Sequence, residues 1–328
     1  MPGASGFCLE MWEKKDWFCR RDSGSYNAAI ATRQGGCASV LACAAMKLRE
    51  IAAPDFDLGM TLDSGQVFHW EKQGRGFVGA IRETAVYVQQ DGKTLGVSGA
   101  PAKTMTDYFA LDHPLDQICA TFPSDAVMNS AREFCRGLRI IRQPKWECLA
   151  TFICSSMKQV AHIRQISGAL RRRFGTAKKV LGRNIFTFPA PECLARTSER
   201  ELRACALGYR AGNLLMTAQR VASGEANLQS WNKLPDSDLR KRLCDLPGVG
   251  TKVANCVMLF AYERINAFPI DVWIERVLRE QYFGAKSRVT AKTLAEFTAA
   301  YFGAHGGYAQ QYLFHYARKT KRRSSGNS

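Results

Sequence analysis

Two hydrophobic periods divide the chain. Between about 56 and 98 the apolar positions alternate: Phe77-Val-Gly-Ala-Ile81 and Ala85-Val-Tyr-Val-Gln89 are strand-like, and Leu95 and Val97 continue the pattern. Asp91-Gly92 is a tight-turn signal, so a β-hairpin is predicted there. From about 125 onward the period lengthens to that of a helix. Helical spacing covers 131–138, 147–156, 160–174, 198–206, 214–222, 239–244, 251–262, 272–282, 292–302 and 308–317. The expected class is α+β, an N-terminal antiparallel sheet followed by an all-helical part. The expected divisions are a poorly patterned extension at 1–45, a β-rich domain at 46–124, a helical domain at 125–317 and a basic tail at 318–328. For that tail, holding Lys319, Lys321, Arg322 and Arg323, a solvated frayed end is the plainer reading and a phosphate contact the alternative.

The first 45 residues are rich in Gly, Ser, Ala and Cys, without the basic start and long apolar stretch of a secretory signal. Glu10, Glu13, Asp16 and Asp22 argue against a transit peptide. Patterned sequence starts after Met46, so the stretch reads as an extension or as an upstream start that is not native.

At 328 residues the chain exceeds what one core usually fills. Its 46% hydrophobic and 23% charged residues exclude disordered and collagenous classes. The net charge of +17 favours a polyanionic partner. Basic membrane and ribosomal proteins share such a charge, so it does not single out nucleic acid. The twelve cysteines form no CxxC pair and the five histidines do not cluster, which argues against a zinc site. Cysteines in apolar runs, such as Cys154, fit reduced thiols better than a secreted disulfide framework. No apolar run approaches the ~20 residues of a membrane helix.

The chemistry concentrates in Leu246-Pro-Gly-Val-Gly-Thr-Lys252, at a predicted hairpin over 245–252. Gly248 and Gly250 flank one apolar residue between two helical patterns, a turn whose backbone amides can cradle a phosphate. Many helix–helix turns also contain glycine. Lys252 falls in the first turn of the next helix, where the positive end of the dipole disfavours a cation. A surface lysine explains it in isolation. The alternative is a nucleophilic amine whose charged form is disfavoured by dipole, basic neighbours and burial. Pro269-Ile-Asp271 opens another helix with Asp271 as N-cap. Either Asp271 only caps, or it also holds a carboxylate facing Lys252.

Taken together, hairpin, lysine and Pro-Ile-Asp resemble the helix-hairpin-helix DNA glycosylases, and more narrowly the 8-oxoguanine DNA glycosylase/AP lyases. The resemblance extends from about residue 50 to about 318. It includes Asp63-Ser-Gly-Gln-Val-Phe-His-Trp70, Glu147-Cys-Leu-Ala-Thr-Phe-Ile-Cys-Ser-Ser156, Leu207-Gly-Tyr-Arg210 and Gln310-Gln-Tyr-Leu-Phe314. Ser155-Ser-Met-Lys-Gln159 looks more like the bacterial branch. The resemblance implies a β-sheet N-terminal domain followed by helical helix-hairpin-helix glycosylase subdomains. It implies a monomer acting on double-stranded DNA containing 8-oxoguanine, with no membrane association. The compartment would be the cytoplasmic nucleoid of a bacterium or the nucleus of a eukaryote.

By the same resemblance, Lys252 attacks C1′ of a flipped nucleotide, Asp271 stabilises the positive sugar, and the Schiff base then permits β-elimination. The Gly65 carbonyl would meet the lesion's N7–H. Cys256 and Phe314 would sandwich the base, and Gln310 would bond its Watson–Crick edge. Plainer readings of these four are a turn glycine, a core thiol, a core aromatic and a polar helix face. Gly248, Gly250 and Tyr209 would contact DNA. No cofactor is required and no iron–sulfur cluster is expected, since no cysteine follows Cys256. A structural cation on the carbonyls of Cys244, Leu246 and Val249 is implied.

The chain departs from the eukaryotic pattern where an Asn and two Arg read the opposite cytosine. Met157, His162 and Arg210 stand there, and only Arg210 matches. Trp273 replaces a histidine beside Asp271. Two other readings remain: a glycosylase for other damaged purines, whose members usually lack the lysine, and a non-catalytic helix-hairpin-helix DNA-binding protein.

Overall fold

The computed structural model describes residues 48–155, 159–284 and 289–324, with side chains described through 320. The extension read at 1–45 and the opposite-base position Met157 lie outside the described residues. All elements below belong to the unit Lys47–Ser328.

The alternating segment forms five antiparallel strands: β1 (Arg49–Ala52), β2 (Glu71–Gln73), β3 (Gly76–Ile81), β4 (Thr84–Asp91) and β5 (Thr94–Ser98). Their spatial order is β1-β5-β4-β3-β2. The predicted turn joins β4 to β5, with Asp91 paired to Thr94 and Gly92 at a φ of 56°. β4 is buried on both faces. Val86 and Val88 join Leu95, Val97 and Ile51 in one cluster, while Ala85 and Tyr87 face the other way with Val78.

Two short helices cover the first face: α1 (Leu58–Asp63) and α2 (Ala102–Tyr108). Asp57 caps α1 by accepting the Met60 N–H at 2.7 Å, and Leu58 and Leu62 pack onto the sheet. The remaining helices are α3 (Leu115–Ala120), α4 (Ala126–Phe134), α5 (Lys145–Cys154), α6 (Val160–Phe174), α7 (Pro191–Ala195), α8 (Glu199–Arg203) and α9 (Arg210–Ala222). They continue with α10 (Asp236–Cys244), α11 (Thr251–Ala261), α12 (Val272–Leu278), α13 (Ala291–Phe302) and α14 (Gly306–Ser324). α5 lies at the centre: every residue from Glu147 to Cys154 is buried. Its one carboxylate, Glu147, is paired with the buried Arg171.

Four features differ from the sequence expectation. The segment expected as helix at 131–138 starts earlier, because Asp125 caps Met128 N–H at 2.8 Å. It stops by Gly137, whose φ of +85° brings the chain against Asp57. The helix expected at 272–282 ends its α turns at Leu278 and closes with a π turn, Arg279–Phe283. A hairpin of β6 (Ala177–Val180) and β7 (Arg183–Phe186) interrupts the helical part. Its apolar Val180 and Ile185 cover the back of the first sheet beside Val78 and Tyr87. Four-residue strands carrying Lys178 and Lys179 show too little alternation to be seen in sequence. Finally, α14 continues past 317, so residues 318–324 of the expected tail are helical.

Candidate active site

The hairpin between α10 and α11 is built from within. Leu246 and Val249 are buried, and the Val249 N–H donates to Leu246 O at 3.1 Å. Thr217 on α9 donates its hydroxyl to Pro247 O at 3.1 Å. Gly248 has a φ of +79°, and a Cβ there would lie 2.8 Å from Asn213 Cβ. This glycine is demanded by the fold itself. Gly250 differs: its φ is −93°, and a Cβ would meet nothing within 4 Å. No side chain caps α11, so the first-turn amides beside Gly250 are open to an external anion.

Among the described residues, the carbonyls of Cys244 and Val249 accept no hydrogen bond, and that of Leu246 accepts one. These oxygens suit a hard cation chemically.

Lys252 occupies the first turn of α11, with its amine 5.3 Å from the centre of the Phe152 ring. Asp271 caps α12 as expected, its Oδ1 accepting Ile274 N–H at 2.9 Å. Burial raises the Asp271 carboxyl above its ordinary value, against the Ile274 amide and the charge of Lys252, which pull it down. Burial also pushes the Cys256 thiol up, while Lys252 opposes the shift. The charge of Lys252 thus bears on both Asp271 and Cys256.

They line one cleft together with Gly65, Gln310 and Phe314. Six residues singled out in the sequence thus come together from α11, α12, α14 and the loop after α1. Four further lining residues were not singled out: Phe152, Phe260, Pro269 and Gln311. Phe152 stacks on Phe260 at 5.4 Å and forms the floor under the Lys252 amine. Phe152 lies within the 147–156 motif, and Gln311 and Pro269 each sit within two residues of a named residue, which was the available signal.

Two acceptors in the cleft stand open. The carbonyls around Gly65 are each taken: Ser64 O by Gln311 Nε2 at 2.9 Å, Gln66 O by Gln143 Nε2 at 2.7 Å, and Asp63 O by Arg318. Among the described residues nothing donates to Gly65 O. Gly65 has a φ of +87°, and a Cβ would lie 3.0 Å from the Phe314 ring. The second acceptor is Gln310 Oε1, buried without a hydrogen-bond partner although the residue is only 4% exposed. A buried orphan acceptor costs roughly 1–3 kcal/mol unless a ligand satisfies it.

The described residues expected at the opposite base, His162 and Arg210, are not among the residues that line this cleft. His162 is exposed on the first turn of α6. Tyr209 is 62% exposed at the N-terminus of α9. Arg210 is 4% exposed, stacks 4.3 Å from the Tyr209 ring centre and donates to Leu207 O at 3.3 Å.

Residues 50–149 match the family described as 8-oxoguanine DNA glycosylase, N-terminal domain. The structure of MBOgg1 with a low-affinity DNA ligand superimposes with a TM-score of 0.79 and 33% identity, over 83% of this chain and 96% of that one. The Clostridium acetobutylicum 8-oxoguanine glycosylase/lyase, bound to double-stranded DNA with cytosine opposite 8-oxoG, gives a TM-score of 0.78 and 28% identity. That likeness covers 84% of this chain and 100% of the clostridial one. A probable N-glycosylase/DNA lyase of Methanothermobacter thermautotrophicus is 28% identical over 82% of this chain and 96% of its own length. The chain belongs to the 8-oxoguanine DNA glycosylase family of the helix-hairpin-helix superfamily.

Proposed function

We propose that this protein is a bifunctional repair glycosylase: it removes 8-oxoguanine from duplex DNA and cuts the strand at the resulting site. One observation carries the reading. A single cleft holds an amine and a carboxylate beside two unfilled acceptors, the Gly65 carbonyl and Gln310 Oε1. 8-Oxoguanine differs from guanine by a carbonyl at C8 and a proton on N7. An open carbonyl attracts that N7–H and repels the lone pair of guanine. Gln310 Oε1 takes a donor of the Watson–Crick edge, while Phe314 and Cys256 enclose the ring.

The base must leave the stack to enter the cleft, at a cost of a few kcal/mol. Contacts of the Gly250 amides and the basic surface with phosphates offset it. A cation held by the carbonyls of Cys244, Leu246 and Val249 would add positive charge at the same hairpin; no step runs through it. The Lys252 lone pair forms a bond to C1′ as the C1′–N9 bond breaks, and the base departs with that electron pair and takes up a proton. Asp271 stabilises the positive charge that develops at the sugar. The nitrogen then gives up a proton and its lone pair forms the C1′=N bond as C1′–O4′ breaks, O4′ leaving with the electrons of that bond and taking up a proton; the resulting protonated imine acidifies C2′–H. Removal of that proton expels the 3′ phosphate by β-elimination, and water then frees Lys252.

The protein acts as a monomer in the compartment that holds DNA, a bacterial nucleoid or a eukaryotic nucleus. Among the described residues no helix is long and apolar enough to cross a membrane. A non-catalytic DNA-binding module has no use for Lys252 and Asp271 in one cleft. The test is a nicking assay on duplexes carrying 8-oxoguanine opposite each base, with borohydride added to trap the imine. Covalent protein–DNA adduct and strand cleavage are expected. Base release without a trapped adduct would overturn the lysine mechanism.

A further inference from the structure

Arg318 begins the segment expected to be a frayed tail, yet its side chain is buried and hydrogen-bonded beside the cleft. It is 8% exposed. Its Nη2 donates to Asp63 O and lies 3.4 Å from His315 Nδ1. Burial, with the charges of Arg318 and Lys319, holds His315 down to about 4, so its ring is neutral and Nδ1 can accept. The guanidinium carbon lies 5.6 Å from the Phe314 ring centre, and Nη1 stands 3.0 Å from where a Gly65 Cβ would be. One planar group thus touches both the loop that carries Gly65 and the ring that faces it.

The anchor on the other side is Asp63, the last residue of α1. Its carboxylate is 2.5 Å from Lys319 Nζ and accepts from Arg164 Nη2 at 2.8 Å. Burial alone would raise the Asp63 carboxyl; bonds from Lys319 and Arg164 and the charge of Arg318 outweigh it and hold it below its ordinary value. A cation on the carbonyl at a helix C-terminus is also favourable with respect to the helix dipole. α1, α6 and α14 are therefore locked together one residue before Ser64, two before Gly65.

We infer that Arg318 is a specificity-determining positioning residue: it sets the separation of the Gly65 carbonyl and the Phe314 ring, and so governs reading of the lesion without touching it. The inference rests on the assignment of this cleft to 8-oxoguanine. A displacement of about 1 Å at a reacting or recognition site can cost roughly 100-fold in rate. Chemistry on a sugar that has already lost its base does not use either reader.

The experiment compares two substrates for the full-length protein: a duplex with 8-oxoguanine and one with a preformed abasic site. Arg318→Met keeps a buried stem and removes the fork. It is expected to slow single-turnover excision roughly 10- to 100-fold while abasic-site cleavage stays within about twofold of wild type. Arg318→Lys keeps a donor for Asp63 O and should excise faster than Arg318→Met. It also supplies the same ratio if the methionine variant does not fold. Parallel loss on both substrates, unchanged excision, or a lysine variant no faster than methionine would each overturn the inference. A wild-type protein that cleaves abasic sites but ignores 8-oxoguanine would overturn the functional reading, and this inference with it.

Discussion

The phosphate hairpin and the lesion cleft solve different problems and are written differently in the chain. The hairpin needs a backbone shape, and consecutive residues specify it: Leu246 and Val249 turn inward, Gly248 takes a positive φ, and Gly250 leaves α11 bare. The cleft needs a set of chemical groups, and it collects them from Gly65 to Phe314. A local requirement produces a motif. A collected one produces scattered residues, each of which has an ordinary explanation by itself. Lys252 belongs to both regions, since it follows the hairpin in sequence and faces the cleft.

The sharpest way to separate the two is to remove that shared residue. Lys252→Gln should abolish base release and imine trapping, a loss of several orders of magnitude, while binding to duplex DNA survives on hairpin and basic contacts. Gel-shift and borohydride trapping on one preparation measure both. Loss of binding together with catalysis would show that the regions are not separable.

Asp271→Asn tests the cleft alone, with an expected loss of roughly 100- to 1,000-fold in single-turnover rate. Asn keeps the N-cap, so helix α12 should persist. Because the Asp271 carboxyl is raised, its contribution to stability is present at acid pH and lost as pH rises through the folded-state value. The variant should therefore melt no lower than wild type at neutral pH, with the difference narrowing on acidification. In wild type the rate should fall on acidification with a midpoint above that of an ordinary aspartate. A near-normal single-turnover rate in this variant would show that capping, not chemistry, explains the residue.

Legibility in the sequence followed the same division. The β-then-α order, the Asp91-Gly92 turn and the cap at Asp271 could be read because each depends on neighbours in the chain. Gly65 and Gln310 were reached only through family resemblance. Their meaning lies in what is missing around them, an undonated carbonyl and an unpartnered amide oxygen, and the carbonyls flanking Gly65 are taken by Gln311, Gln143 and Arg318, far away in sequence from residue 65. The β6–β7 hairpin is not legible because it is short and interrupted by charge, with Val180 and Ile185 complementing a sheet about 100 residues earlier. Phe152 was hidden because α5 is buried all round, which erases any face that would set one aromatic apart.

Gln310→Leu should lower 8-oxoguanine excision roughly 10- to 100-fold, the equivalent of one unmade hydrogen bond to a buried donor. Stability should hold or rise, since an unpartnered buried oxygen is removed. The two glycines make the matching test in the hairpin. Gly248→Ala should cost about 1–3 kcal/mol of stability, from its positive φ and the contact with Asn213. Gly250→Ala should leave the melting temperature unchanged, because a Cβ there meets nothing within 4 Å, and weaken DNA binding several-fold, because the added methyl would crowd an incoming phosphate. Equal melting shifts for the two variants would erase the distinction drawn between them.

The smallest effect concerns the base left opposite the lesion, which neither region reads. Buried polar readers lose roughly 1–3 kcal/mol each when their partner base changes. Here His162 is exposed and Arg210 is largely occupied with the Tyr209 ring and Leu207 O. A methionine, the residue type at position 157, has no N–H or O–H to offer a base, and a flexible thioether suits any of the four equally. The preference for cytosine should therefore stay within about tenfold, near 1.4 kcal/mol. Met157→Asn with His162→Arg adds donors and acceptors aimed at cytosine, so the pair should widen the preference while leaving the rate opposite cytosine almost unchanged. Single-turnover rates on the four duplexes, before and after the double substitution, decide it. A wild-type preference of several orders of magnitude would mean that Arg210 turns from Tyr209 to the orphan base when DNA binds, and that this one residue suffices.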